Sequence, residues 1–380
     1  MFITRKMKNT ALILFFLFFS LVSLATSFAN SLNEKKNPTA IFKIDKGINI
    51  SEWMERENAT FVYLDTFFTH SKIDLLCSLG FDHLRIPVTE KNLFDQNLNY
   101  KENEFDLLRD RIDYALAKGL KIIFDLHGSR VHSFLNEKNP LFSDSLSEEH
   151  FLKVWGMLQA RLSMYSVDSL AYECLNEPAA PINNHELWNR LVSKWISLIR
   201  QKENKRYLVI GSNRGNQLWT FKYLKIPQDE KRIILSLHFY QPSVLTHYKA
   251  SWTELKYYEG PVDYPGQTIP DSSFRQLADS LKEKMKYGLT IYDKETIRKE
   301  LLQVVKMSRI WGFPLNVGEF GCRRNVPNKD ARYRWFTDLV ALFNEYDISY
   351  TVWGMNGSGF GIWDYDQSLD SSMIRILMNK

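Results

Sequence analysis

Eight short apolar runs, each ending in polar residues, recur along the chain, and stretches with helical spacing lie between most of them. The runs are "KGINI" at Gly47, "FDHLRIPV" at Arg85, "KIIFDLHG" at His127, "LAYECLNEP" at Glu177, "RYLVIGSN" at Asn213, "IILSLHFYQP" at His238, "PLNVGEFG" at Glu319 and "ISYTVWGMNG" at Trp353. Between them, "HSKIDLLCSLG" closes on Gly80, a helix-ending glycine. "EFDLLRDRIDYALAKG" carries apolar residues at 105, 108, 112, 115 and 116, which is helix period, and closes on Gly119. "EEHFLKVWGMLQARLSMY", "HELWNRLVSKWISLIRQK", "TIRKELLQVVKMSRIWG" and "RYRWFTDLVALFNEY" have the stripe of amphipathic helices. Strands that alternate with helices predict a parallel sheet. Eight such units over about 330 residues fit an α/β chain folded as a (β/α)8 TIM barrel. A doubly wound open sheet is the alternative, but the first turn lacks the glycine fingerprint of a dinucleotide site.

The regular alternation breaks once, between the sixth and seventh runs. The segment at 241–295, with "SVLTHYKASWTELKYYEGPVDYPGQTIPD" at its centre, is aromatic, punctuated by Gly and Pro, and long for a connection. Long structured loops in compact domains usually serve function.

The first residues read as a targeting segment. Arg5, Lys6 and Lys8 precede the apolar stretch "ALILFFLFFSLVSLA", and Ser27-Phe28-Ala29 sets small residues at the −3 and −1 positions of a cleavage site. The expected organisation is a signal peptide at 1–29, a flexible polar lead-in at 30–40 and a catalytic domain at 41–380. An uncleaved anchor is the alternative, although the apolar stretch falls short of the ~20 residues a membrane span needs. Cleavage removes three positive charges from a chain whose net charge is +5. With both signs interspersed and no basic stripe, nucleic acid is not an expected partner. The three cysteines, Cys77, Cys174 and Cys322, form neither a disulfide framework nor a metal-ligand spacing. Aromatic residues make up 14%, an excess that suits a core and also a surface that stacks on sugar rings.

In a barrel, polar groups at the carboxyl ends of strands converge on one face. Here those ends carry Arg85, His127, Asn176 with Glu177, His238 with Tyr240, Glu319 and Trp353. Each alone has a plain structural reading: an ion-pair partner, a core histidine, a helix cap, a core aromatic. The plain reading has to hold independently at every strand. A carboxylate at the tip of a buried strand is costly to desolvate unless something uses it. Two carboxyl groups that flank one bond are what glycoside hydrolysis requires, one as proton donor and one as nucleophile. Arg85 and Tyr240 are suited to hold a carboxylate anionic, which makes Glu319 the expected nucleophile and Glu177 the acid/base. Adjacent Asn176 and Glu177 can serve one site only at a bulge or a strand end, because strand neighbours point to opposite faces.

The ordered set "LRIP", "DLHG", "LNEP", "HFY", "GEFG" and "TVWG" resembles glycoside hydrolase family 5, within the clan A barrels. The resemblance spans roughly Lys46 to Trp363 and implies a retaining, cofactor-free β-glycosidase with no metal. It implies the acid/base in Asn176-Glu177-Pro178 and the nucleophile at Glu319. Arg85, His127, Asn176, His238 and Tyr240 would be supporting residues, and Trp353 the floor under the sugar at the cleavage point. The implied enzyme is a secreted or periplasmic endo-β-1,4-glucanase, monomeric, acting on β-linked polysaccharide or oligosaccharide and free of membrane after signal cleavage. β-Mannanase, xyloglucanase, mixed-linkage glucanase and exo-acting glycosidase are the neighbouring alternatives. A catalytically silent sugar-binding barrel is a different class, against which both acids speak. His132, Asn213 and Trp219 would line the cleft, and Trp252, Tyr258 and Trp363 would stack on sugars. Glu52 is structural or at the cleft edge, and Trp155 and Trp195 belong to the core.

Overall fold

The computed structural model describes residues 42–134, 138–356, 359–363 and 368–379. The expected signal peptide and lead-in therefore lie outside the described residues. All eight apolar runs are strands, and they close into one parallel barrel: β1 (Lys46–Asn49), β2 (His83–Thr89), β3 (Lys121–Gly128), β4 (Leu170–Glu173), β5 (Leu208–Gly211), β6 (Ile233–Phe239), β7 (Leu315–Phe320) and β8 (Ser349–Val352). Each strand pairs with its neighbours in sequence, and β1 pairs with β8 to complete the ring.

Helices pack outside. The main ones are α1 (His70–Leu79), α2 (Glu102–Ala117), α3 (Ser145–Leu162), α4 (Glu186–Arg200), α5 (Lys294–Trp311), α6 (Lys329–Tyr346) and α7 (Ser371–Met378). Their ends are written in the sequence. Asp144 and Asp293 accept hydrogen bonds from first-turn N–H groups of α3 and α5, and Gly80 and Gly312 close α1 and α5 in the left-handed region. Helix α4 buries Trp188, Leu191, Val192, Trp195 and Ile199, a stripe at helical spacing. Trp155 and Trp195 are core, as the sequence reading expects. The segment at 241–295 is built from short helices and one antiparallel pair, Gly266–Gln267 with Ile291–Tyr292.

Strand alternation divides the barrel into two chemistries. Leu84, Ile86, Ile122, Phe124, Tyr172, Leu208, Ile210, Leu235 and Leu237 face the helices and join the main core. Ile123, Ala171, Val209 and Ile234 have the opposite parity and form a separate apolar cluster with Phe42 and Tyr207. Two residues further along the same parity come Asp125, Glu173 and Ser236, all fully buried or nearly so. On β3, β4 and β6 the period of two thus carries the lumen from apolar to polar side chains. Arg85 pairs in register with Ile123 and with Asn49, and so belongs to this inward set.

Candidate active site

Arg85 is the hub of the polar layer. Its Nε and Nη2 fork onto Glu173 at 2.7 and 3.0 Å, and Nη2 also lies 2.9 Å from Asn176 Oδ1 and 3.0 Å from Asp125 Oδ2. Nη1 donates to Asn49 Oδ1 and to Glu319 Oε1, both at 2.8 Å. Burial alone would favour losing the proton, but the charges of Asp125, Glu173 and Glu319 outweigh it and hold the guanidinium well above its ordinary range. In turn, burial pushes the Asp125 carboxyl up to about 7 against the pull of Arg85, and burial likewise raises Glu173.

Glu319 owes its direction to a bulge. In the β6–β7 ladder Leu237 faces Val317 but His238 faces Glu319, so Gly318 is the extra residue. Glycine is required there by space. A Cβ on Gly318 would stand 2.4 Å from Ser236 Oγ. The shift turns Glu319 inward, where its second oxygen accepts from the Tyr240 hydroxyl at 3.0 Å.

Glu177 solves the adjacency problem differently. Strand β4 ends at Glu173, so Asn176 and Glu177 lie on the turn beyond it, and Glu177 has φ +44°. Its Oε1 is 2.8 Å from His238 Nδ1, and about a fifth of its side chain is open. Burial raises its carboxyl to about 7, in the face of opposing pulls from His127 and Arg85. A carboxyl oxygen of Glu177 and one of Glu319 lie within 4.8 Å of each other, with a His238 nitrogen within the same limit of both. These three donors have the spacing of a metal site, but any cation there would share Glu319 with the Arg85 guanidinium, which opposes it.

The two site histidines are held neutral by burial, each lowered to about 4. His127 Nδ1 lies 2.8 Å from Asp125 Oδ2, and its Nε2 is 3.4 Å from Asn176 Nδ2. With Asn176 Oδ1 already taken by Arg85, the amide orientation follows. The Trp353 ring stacks on His127, centroids 5.6 Å apart and planes at 15°.

The structure thus gathers Arg85, His127, Asn176, Glu177, His238, Tyr240, Glu319 and Trp353 at one mouth of the barrel. A cleft of about 700 Å3 opens beside Glu177, His238 and Tyr240 and runs past Trp219 to Glu300 and Gln303 on α5. Trp219 lines it and is 43% exposed.

Other expectations need correction. His132 is buried and accepts the Ala179 N–H at 3.2 Å. Asn213 is buried and binds Ala180 through both its N–H and its carbonyl, at 2.8 and 3.1 Å. Both pin the backbone behind the cleft wall instead of lining it. The reason is the accounting of backbone polar groups: a turn after β4 that lacks ladder partners takes them from side chains. Tyr258 is buried, with its hydroxyl on the Pro261 carbonyl at 2.7 Å, and presents no face to a sugar. Trp252 is exposed and reaches Tyr240 indirectly, through Phe360, whose ring lies 6.4 Å from Trp252 and 5.9 Å from Tyr240, and through His247, at 6.2 and 5.0 Å. Trp363 is half-buried against the core, and Glu52 pairs with Arg56 at 3.5 Å. Four residues of the site escaped the sequence reading: Asn49, Asp125 and Glu173, all on Arg85, and Asn216, whose Nδ2 lies 3.2 Å from His238 Nε2. For Asp125 and Glu173 a signal exists, since both share inward parity with recognised neighbours.

Comparison with known proteins is consistent with this geometry. A family model described as Cellulase (glycosyl hydrolase family 5) matches residues 33–359. Endoglucanase C of Acetivibrio thermocellus is 28% identical over 346 residues, covering 88% of this chain and 98% of that protein. Among solved structures, the cellulose synthase subunit Z of Clostridioides difficile aligns with a TM-score of 0.71 at 23% identity, covering 88% of this chain and 100% of that one. Cel5A of Thermotoga maritima, solved with mannotriose, aligns with a TM-score of 0.69 at 22% identity, covering 88% and 97%.

Proposed function

The chain belongs to glycosyl hydrolase family 5, and from that premise we propose that it is an exported, retaining endo-β-1,4-glucanase in which Glu319 is the nucleophile and Glu177 the acid/base. One observation carries the reading: two carboxyl groups in unlike surroundings meet at one cleft, with oxygens within 4.8 Å. Retaining enzymes set the pair about 5–5.5 Å apart, whereas inverting ones leave about 6.5–9.5 Å for a water.

Glu177, raised to about 7, keeps a proton to give to the glycosidic oxygen. Glu319, aimed by Arg85 and Tyr240, attacks the anomeric carbon as the leaving-group bond breaks. In the second half, Glu177 as carboxylate takes a proton from water, whose oxygen attacks the same carbon and frees Glu319. Asn176 and Trp353 flank this point, one with an amide oriented for a sugar hydroxyl and one as an apolar floor.

The glucan preference is supported by relatives named endoglucanase and by a cellodextrinase of Ruminococcus flavefaciens. Mannan is the second reading, because the Thermotoga relative was solved with mannotriose. Export rests on the charged and apolar segment at 1–29, and no helix among the described residues is long and apolar enough to cross a membrane. The test is release of reducing ends from β-glucan, β-mannan and xylan, with product sizing. Glu319→Ala should abolish it, and azide should restore turnover with an inverted product. Failure on every polysaccharide would sink the proposal.

A further inference from the structure

We propose that Asn216 is a positioning residue: its amide fixes the His238 proton on Nδ1, and so assigns the transferable proton of Glu177 to the oxygen that His238 does not touch. The inference rests on the acid/base role proposed above for Glu177.

Arg214, Gly215 and Asn216 are three successive left-handed residues, with φ of 61°, 78° and 54°. Such backbone is strained for Arg and Asn and persists where the surroundings enforce it. The turn lies over the acid, since a Cβ on Gly215 would sit 3.9 Å from Glu177 Cδ. It also drives the Asn216 side chain into the barrel, where it is fully buried. Gly211 makes the room, for a Cβ there would stand 2.1 Å from Asn216 Oδ1. Asn216 Nδ2 lies 3.2 Å from His238 Nε2, while Oδ1 has no partner among the described residues. An unpaired buried carbonyl is a cost, and the imidazole contact is what the strained turn secures.

A neutral imidazole has one N–H and one lone pair. His238 Nδ1 lies 2.8 Å from Glu177 Oε1 and 3.4 Å from Glu319 Oε2. A proton on Nε2 would face the amide N–H of Asn216 and, even with Glu177 donating to it, leave the bare Nδ1 lone pair beside the Glu319 carboxylate. A proton on Nδ1 satisfies both ends. Glu177 Oε1 then accepts from the imidazole, and its own proton resides on Oε2. Reversing the Asn216 amide reverses this assignment, which makes the tautomer measurable evidence of the relay.

The experiment uses Asn216→Gly in the full chain, because glycine keeps the left-handed turn at no steric cost and removes only the amide. Two-bond proton–nitrogen spectra of nitrogen-15 histidine-labelled protein, with His238 assigned through His238→Asn, should show Nδ1 protonated and Nε2 bare in the native chain. In Asn216→Gly the pattern should move toward a mixture of tautomers. In parallel, kcat/KM for aryl β-cellobiosides should fall about tenfold for a phenol leaving group and less than about twofold for dinitrophenol, as lost acid help requires. A His238 proton on Nε2 in the native chain overturns the inference, and so does equal loss on both leaving groups. Glu177→Ala separates the two levels. If it steepens the leaving-group dependence while Asn216→Gly does not, the positioning role alone falls. If neither steepens it, the acid role of Glu177 falls as well.

Discussion

The raised carboxyl of Glu177 makes a prediction about pH that can be worked through. Its ordinary value is 4.5, and burial lifts it to about 7. The first chemical step needs the protonated form. At pH 6 an acid of pKa about 7 is about nine-tenths protonated, whereas one at 4.5 would be about 3% protonated, a ~30-fold difference in competent enzyme. The profile of kcat/KM against pH, measured on a phenyl β-cellobioside, should therefore hold up to about pH 7 and then fall tenfold per unit. The linkage has the same sign. The folded chain keeps a proton that the unfolded chain releases, so this contribution to stability is full below about pH 4.5 and is lost as pH rises through about 7. The shift corresponds to about 3 kcal/mol. Asp125, raised to about 7 for the same reason, adds in the same direction. Glu177→Gln assigns the limb: on the same phenyl β-cellobioside its low residual kcat/KM should show no fall near pH 7. A native basic limb below about pH 5.5, or one that survives in Glu177→Gln, would refute the reasoning.

Substitutions at three further positions test the site's construction. Arg85→Met strands Asp125, Glu173 and Glu319 without their cation and should cost ~3–5 kcal/mol in urea unfolding. Arg85→Lys keeps the charge but cannot fork onto Glu173, so it should spare much of the stability and still cut kcat sharply. Gly318→Ala forces a methyl against Ser236 Oγ and should cost ~1–3 kcal/mol and displace Glu319, while adding Ser236→Gly should restore both melting temperature and kcat. Trp219→Ala removes an exposed ring from the cleft and should raise KM for long oligosaccharides about tenfold while leaving kcat on short aryl glycosides nearly unchanged.

The sequence announces the barrel because both of its periods are explicit: strand runs with polar ends, helices with apolar stripes and terminal glycines. It announces the paired acids because a carboxylate at the end of a buried strand has few inexpensive explanations. The rest is hidden for physical reasons. His132 and Asn213 look like cleft residues by position, but loop side chains follow no period, and theirs turn back to serve the backbone at Ala179 and Ala180. Asp125 and Glu173 could have been found by counting two residues along each strand from Ile123 and Ala171. Asn216 could not, since Gly215-Asn216 favours a left-handed turn but where that turn aims the amide depends on the barrel around it.

The candidate acids stand on different halves of the ring, Glu177 just after β4 and Glu319 on β7. A polypeptide divided in the connection between β4 and β5 would put Arg85 and Glu177 on one fragment and His238, Tyr240 and Glu319 on the other. Neither fragment holds a complete pair of acids, so turnover in a mixture of the two would count reassembled barrels, one active centre for each ring that closes.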